Sequence, residues 1–180
     1  MATIIVAFTQ DYQCIKDDAT YCFSDGTNFK AIQIDSVVQE GENLVYYNFP
    51  TMTDEPEGDC YSRFGPSWIG RKITVKPNGV HTFYNKYDEP ITIKTQIDIN
   101  EYWTAYEFND GRYTEAHISD VFQKEFLGLI DTVKKVTFQT YDANGNPIAY
   151  PTNDNYLLIS KNHGLIRTIN FKLFLTTQAD

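Results

Sequence analysis

The chain has 180 residues, a net charge of −9 at pH 7, 42% hydrophobic and 15% aromatic residues, and three cysteines. That length suits one domain and buries a core without help from disulfides or metal, and thirteen tyrosines with twelve phenylalanines exclude a disordered chain. Acidic charge spread along the sequence excludes a nucleic-acid binder and disfavours an anionic membrane surface, and no apolar run is long enough to span a bilayer.

The chain opens with apolar and small residues, Ala2 to Thr9, before Gln10 and Asp11. Ala7-x-Thr9 has the small-x-small form that ends a secretory signal, although the basic start and most of the apolar stretch of a signal are missing. Residues 1–9 therefore read either as a signal remnant or as a first strand built on Ile4, Ile5 and Val6. Residues 10–180 read as one β-rich domain, since no linker divides them. Cys14, Cys22 and Cys60 are an odd number, so an exported chain would pair two of them. Cys14 and Cys60 lie in irregular polar stretches and are the candidate disulfide, with three free thiols as the alternative. Cys22, between Tyr21 and Phe23, reads as a buried thiol in a strand. No C-x-x-C occurs and no histidine lies at ligand spacing from a cysteine, so no metal site is predicted from the thiols.

From there the pattern has period two. Phe29 to Val38 alternates as a half-buried strand, and Gly41 with Asn43 turns it into a partner at Leu44 to Phe49. Thr51 to Gly65 reads as a long acidic loop. Arg71 to Lys76 and Val80 to Asn85 form a hairpin about Pro77-Asn78-Gly79, because Asn and Gly accept positive φ. Strands follow at Ile91 to Gln96, Tyr102 to Phe108, Arg112 to Val121 and Val133 to Tyr141. Gln123 to Thr132 is ambiguous between strand and a helical turn. Asp142 to Pro147 turns the chain again, and Tyr156 to Ser160 and Leu165 to Leu175 close it. Short turns at even spacing predict an all-β fold, a strongly curved antiparallel meander. A half-barrel of the lipoprotein-carrier or lipocalin type is the first choice and a β-sandwich the second, with at most a short helix near Gln123 to Asp131.

Four segments carry a family resemblance: Phe64-Gly65-Pro66-Ser67-Trp68-Ile69-Gly70-Arg71, Ile93-Lys94-Thr95-Gln96, Phe126 to Lys134, and Ile159 to Ile166. In this order and spacing they resemble the N-terminal region of secreted Bacteroidota proteins that end in a type IX secretion sorting domain. The resemblance runs from Gln10 to Phe174, and the Ala7-Phe8-Thr9-Gln10 start is similar to the processed signal of such proteins. The sorting domain and the complete signal of that family are missing from this sequence, so the chain reads as a truncated gene, a fragment or a standalone relative. The resemblance implies export and a secreted or cell-surface location. It implies no activity, because none of its markers is a catalytic signature.

The candidate chemistry is sparse. A Ser-His-Asp set can be drawn from Ser67 or Ser160 with His81, His117 or His163, but no G-x-S-x-G elbow presents a nucleophile. Glu101 and Glu107 flank Trp103 and Tyr106, the best sugar-like neighbourhood, and otherwise read as a solvated strand face. Asp54, Glu57 and Asp59 on the acidic loop are weak calcium candidates. Asp142, Asn144 and Asn146 echo a calcium loop but lack its downstream glutamate, and a hairpin turn accounts for them. The aromatic surplus says more. Neighbouring aromatics on a strand point to opposite faces, so Tyr46 and Tyr47, or Tyr102 and Trp103, cannot share one core. Tyr46, Tyr47, Trp68, Tyr84, Trp103 and Tyr106 are the candidate ligand-binding residues. The sequence thus predicts a non-catalytic extracellular module for a protein or glycan, with no cofactor. The alternative is a carrier holding a lipid or other apolar molecule in the concave face of the sheet.

Overall fold

The computed structural model describes residues 11–16, 19, 21–24, 29–32, 34–47, 51–53, 62–64, 69–70, 72–85 and 87–174. Residues 1–9, Cys60, Trp68, Asp54, Glu57 and Asp59 lie outside these, so the expectations placed on them are outside the described residues too. The described chain is all-β and antiparallel, and its helical content is a single 3-10 turn, Phe171–Leu173. A four-stranded sheet runs β1 (Tyr21–Ser24), β2 (Phe29–Ile32), β5 (Thr51–Thr53), β6 (Ser62–Phe64). A five-stranded meander runs β3 (Ser36–Glu40), β4 (Asn43–Tyr47), β7 (Lys72–Val75), β8 (Val80–Tyr84), β9 (Pro90–Lys94). A second meander runs β10 (Tyr102–Glu107), β11 (Tyr113–Phe126), β12 (Leu129–Tyr141), β13 (Tyr156–Ser160), β14 (Gly164–Arg167).

The alternation read from the sequence is the alternation of burial. Ile73 and Val75, His81 and Phe83, and Ile91 and Ile93 point inward, while Thr74, Thr82 and Thr92 between them are half-exposed. Aromatic neighbours split across the sheet as expected: Tyr46 is buried beside half-buried Tyr47, and Trp103 is buried beside exposed Tyr102. The Pro77-Asn78-Gly79 turn needs its glycine twice over. Gly79 has φ +76°, and a Cβ there would stand 2.5 Å from Gln96 Cγ.

The two meanders meet at the seam between β9 and β10, which share no backbone ladder. Side chains close the seam instead. Trp103 Nε1 donates to Thr92 O at 2.8 Å, and Tyr106 OH donates to Glu89 Oε2 at 2.6 Å. Bulges between Thr104 and Tyr106 and between Ile118 and Asp120 add twist to the long strands. The outcome is a strongly curled half-barrel. The C-terminal 3-10 turn fills it: Phe171 stacks on Phe83 at 4.7 Å, and Phe174 meets Phe138 and Tyr106 at 5.6 and 5.8 Å. Burying each of these rings contributes about 2–3 kcal/mol of transfer free energy.

Three sequence expectations need correction, and one ambiguity is resolved. Phe29 to Val38 is not one strand: β2 and β3 belong to different sheets. The acidic loop contains β5 and β6. The ambiguous segment Gln123 to Thr132 resolves as strand. It is the end of the β11–β12 hairpin, turned by Leu127 and Gly128 at φ 53° and 77°, the two positive values a tight hairpin turn requires. The strand expected to run from Leu165 to Leu175 ends at Arg167 and gives way to the 3-10 turn.

Candidate functional site

Residues Asp11 to Lys16 form a strap across both meanders. Gln13 Nε2 donates to Tyr46 OH on β4 at 2.5 Å, and the Cys14 N–H donates to His81 Nε2 on β8 at 3.2 Å. On the other side Tyr12 N donates to Lys161 O at 3.2 Å, and Leu165 N on β14 donates to Cys14 O at 2.9 Å. Gly164, at φ +72°, lets the strap come this close, because a Cβ there would lie 2.6 Å from Cys14 O. His81 is fully buried and sits 3.2 Å through Nδ1 from Gly79 O. An imidazole accepting at Nε2 must carry its proton on Nδ1, so His81 is the neutral Nδ1–H form. Burial outweighs the Gly79 carbonyl and holds its pKa down at about 4.

A second device fixes the turn between β13 and β14. Asp131 on β12 is 4% exposed, and its carboxylate accepts from Thr132 N at 2.8 Å, Asn162 N at 2.9 Å and Asn162 Nδ2 at 3.0 Å. It also accepts from the buried Ser160 hydroxyl and lies 3.3 Å from His163 Nδ1. Burial opposes the charge, but the hydrogen bonds from Ser160, Asn162, Thr132 and His163 outweigh it, and the carboxyl sits below its ordinary pKa. Serine, histidine and aspartate are therefore brought together, as could be drawn on paper, but in the wrong order for hydrolysis. A nucleophile needs the histidine between hydroxyl and carboxylate. Here Ser160 is fully buried and donates straight to Asp131, with His163 Nδ1 3.2 Å from the same hydroxyl. The cluster is a pin for a turn.

Strap and pin frame an open cleft of about 460 Å³. Its lining mixes apolar side chains, Ala19, Phe23, Phe126, Leu127, Leu165 and Ile166, with the polar groups of Lys16, Tyr21, Cys22, Asn162 and His163. Phe126 packs edge-on against His163 with centroids 5.5 Å apart, and Lys16 Nζ donates to Asn162 O, so apolar and polar lining residues alike are tied to the pinned turn. The volume falls within the range of about 300–1,000 Å³ typical of ligand sites.

Of the predicted ligand-binding aromatics, the five that are described, Tyr46, Tyr47, Tyr84, Trp103 and Tyr106, do not line this cleft. Tyr46 closes on the strap, and Trp103 and Tyr106 are core residues with their polar atoms satisfied across the seam. Tyr47 and Tyr84 lie on the outer face of the first meander, where Tyr47 OH donates to Glu40 and Lys72 sits over the Tyr84 ring. The interior they were expected to border is occupied by Phe83, Phe138, Phe171 and Phe174. Glu101 and Glu107 are exposed, whereas Trp103 and Tyr106, the aromatics they flank in sequence, are buried. Asp142 accepts from Asn144 N at 2.9 Å and Asn146 N at 2.8 Å, which makes it the hub of a hairpin turn. Among the described residues no three His, Cys, Asp or Glu side chains converge as metal ligands, and no helix is long and apolar enough to cross a membrane.

The cysteines exchange roles. Cys22, expected to be buried, is exposed at the cleft, whereas Cys14 is a fully buried thiol whose pKa burial pushes up. Maleimide should therefore label Cys22 in the native chain and Cys14 only after unfolding, as read by peptide mass mapping. Label on Cys14 in the native chain would contradict its burial. Failure to label it in denaturant without reductant would place it in the bridge to Cys60.

Sequence reasoning passed over Asp131 and the strap. The signal for Asp131 was an acid at an inward position between Leu129 and Val133, with hydroxyl, amide and glycine together at Ser160 to Gly164. The chain matches no protein-family model, no curated protein and no solved structure.

Proposed function

We propose that this protein is a non-catalytic, exported recognition module that takes an apolar group with an anionic or polar end into the cleft between strap and hairpin. The observation that carries this reading is the cleft itself: Phe23, Phe126 and Leu165 line it together with Lys16 and Asn162, beside a turn pinned by a buried carboxylate. Rigid support keeps the ordering cost of binding low. Export rests on the resemblance of the four sequence markers to secreted Bacteroidota proteins. The non-catalytic reading is supported by the inverted order of Asp131, Ser160 and His163.

Anilinonaphthalene sulfonate, an apolar ring system with one anion, is the probe. Titrated into the full chain it should give saturable one-site fluorescence. Leu127→Asp should weaken binding by roughly tenfold or more, since it removes apolar contact and sets a charged group against the apolar ring system. Aspartate accepts the positive φ of this turn better than leucine, so the variant keeps the hairpin. No saturable signal, or equal binding by the variant, would refute the reading.

A further inference from the structure

The β11–β12 hairpin outgrows its sheet. β10 pairs with β11 only as far as His117, and Asn100 N occupies Ile118 O at 2.9 Å. Beyond the bulge at Ser119, Asp120 to Phe126 pairs with β12 on one side, and no described strand pairs with its other edge. Exposed strand edges recruit other strands, and proteins usually blunt them with charge. Here the charges are arranged to select one partner.

We propose that this edge pairs with the same edge of a second copy, antiparallel, about a two-fold axis through Phe122. In that register Asp120 faces the second copy's Lys124, and its Asp120 faces Lys124 in return. Val121 faces Gln123, Ser119 faces Glu125, and the two Phe122 side chains meet on the axis. Moving the axis to Val121 or to Gln123 sets Phe122 against Asp120 or against Lys124, and both charge pairs are lost. The ladder stops where Asn100 covers Ile118, which brings the Leu127–Gly128 turn of one copy to the chain entering β10 of the other. That meeting explains the apolar exposure. Six of the nine large apolar side chains that are exposed among the described residues lie on this hairpin or at the entry to β10: Ile99, Tyr102, Val121, Leu127, Leu129 and Ile130. A self-complementary patch of this kind gives a closed two-fold pair rather than a fibre.

Sedimentation equilibrium in reducing buffer tests this on the full chain, wild type beside Asp120→Lys, Lys124→Asp and the double exchange. Wild type should reach twice the 20.7 kDa chain mass. Each single reversal opposes like charges twice across the axis and should raise the dissociation constant roughly tenfold or more, and the double exchange should restore it. Within one chain, Lys135 and Asp131 stand opposite the two exchanged positions in single and double variants alike, so restoration reports the contact between copies. Thermal unfolding confirms that each variant folds. A 20.7 kDa mass at every concentration would leave the edge to a strand of another protein and overturn the proposal. A dimer indifferent to the single reversals, or one that the double exchange fails to restore, would overturn it as well.

Discussion

Replacing Asp131 with alanine is expected to cost about 3 kcal/mol, a fall of roughly 10 °C in the unfolding temperature for a chain of this size. The carboxylate is the common acceptor for Thr132, Ser160 and both nitrogens of Asn162. Its removal takes the acceptor from a fully buried hydroxyl and from the Asn162 backbone N–H, and losing the acceptor of buried donors is among the few mechanisms that produce losses this large. Asp131→Asn should lose nearly as much, because the amide turns a donor toward other donors. Asp142→Ala, which removes a similar set of turn bonds at an exposed site, should lose clearly less. Equal losses at the two positions in thermal unfolding would show that burial does not set the value of the pin.

The second large effect is on pH. His81 is neutral in the folded chain with a pKa of about 4, against 6.5 when unfolded. The unfolded chain therefore takes up the proton first. The stability contributed by the neutral form is complete above pH 6.5 and is lost as pH falls from 6.5 to about 4, in total about 3 kcal/mol. The proton would displace the Cys14 N–H from Nε2, so the loss falls on the strap. His117, also lowered by burial, adds in the same direction, which makes His117→Gln the proper background for the measurement. In that background, urea unfolding across the window should show a steep slope that His81→Gln flattens. Equal slopes would mean that His81 titrates normally and does not hold the strap.

How far the sequence could be read depended on how local each signal was. The hairpin about Asn78-Gly79 and the alternation of Ile73, Phe83, Ile91 and Ile93 are properties of a few neighbouring residues, and they were legible. Leu127 defeated the reading of its segment, since leucine seldom adopts positive φ and its neighbours Phe122, Phe126 and Ile130 repeat at helical spacing. The cleft was illegible for a different reason. Cys14 meets His81 across 67 positions, and Asn162 meets Asp131 across 31. Neither pair leaves a periodic trace. The aromatic surplus pointed to a binding face, but Trp103 and Tyr106 close a seam between two meanders whose gap no local pattern reveals.

The binding claim is tested most directly by following the anilinonaphthalene sulfonate titration residue by residue in amide NMR spectra of the full chain. The expected shifts cluster at Lys16, Cys22, Phe23, Asn162, His163 and Leu165 and saturate together. Shifts centred instead on the β9–β10 seam at Thr92 and Thr104, or on the Tyr47 and Tyr84 face, would contradict the account and move the site elsewhere on the molecule.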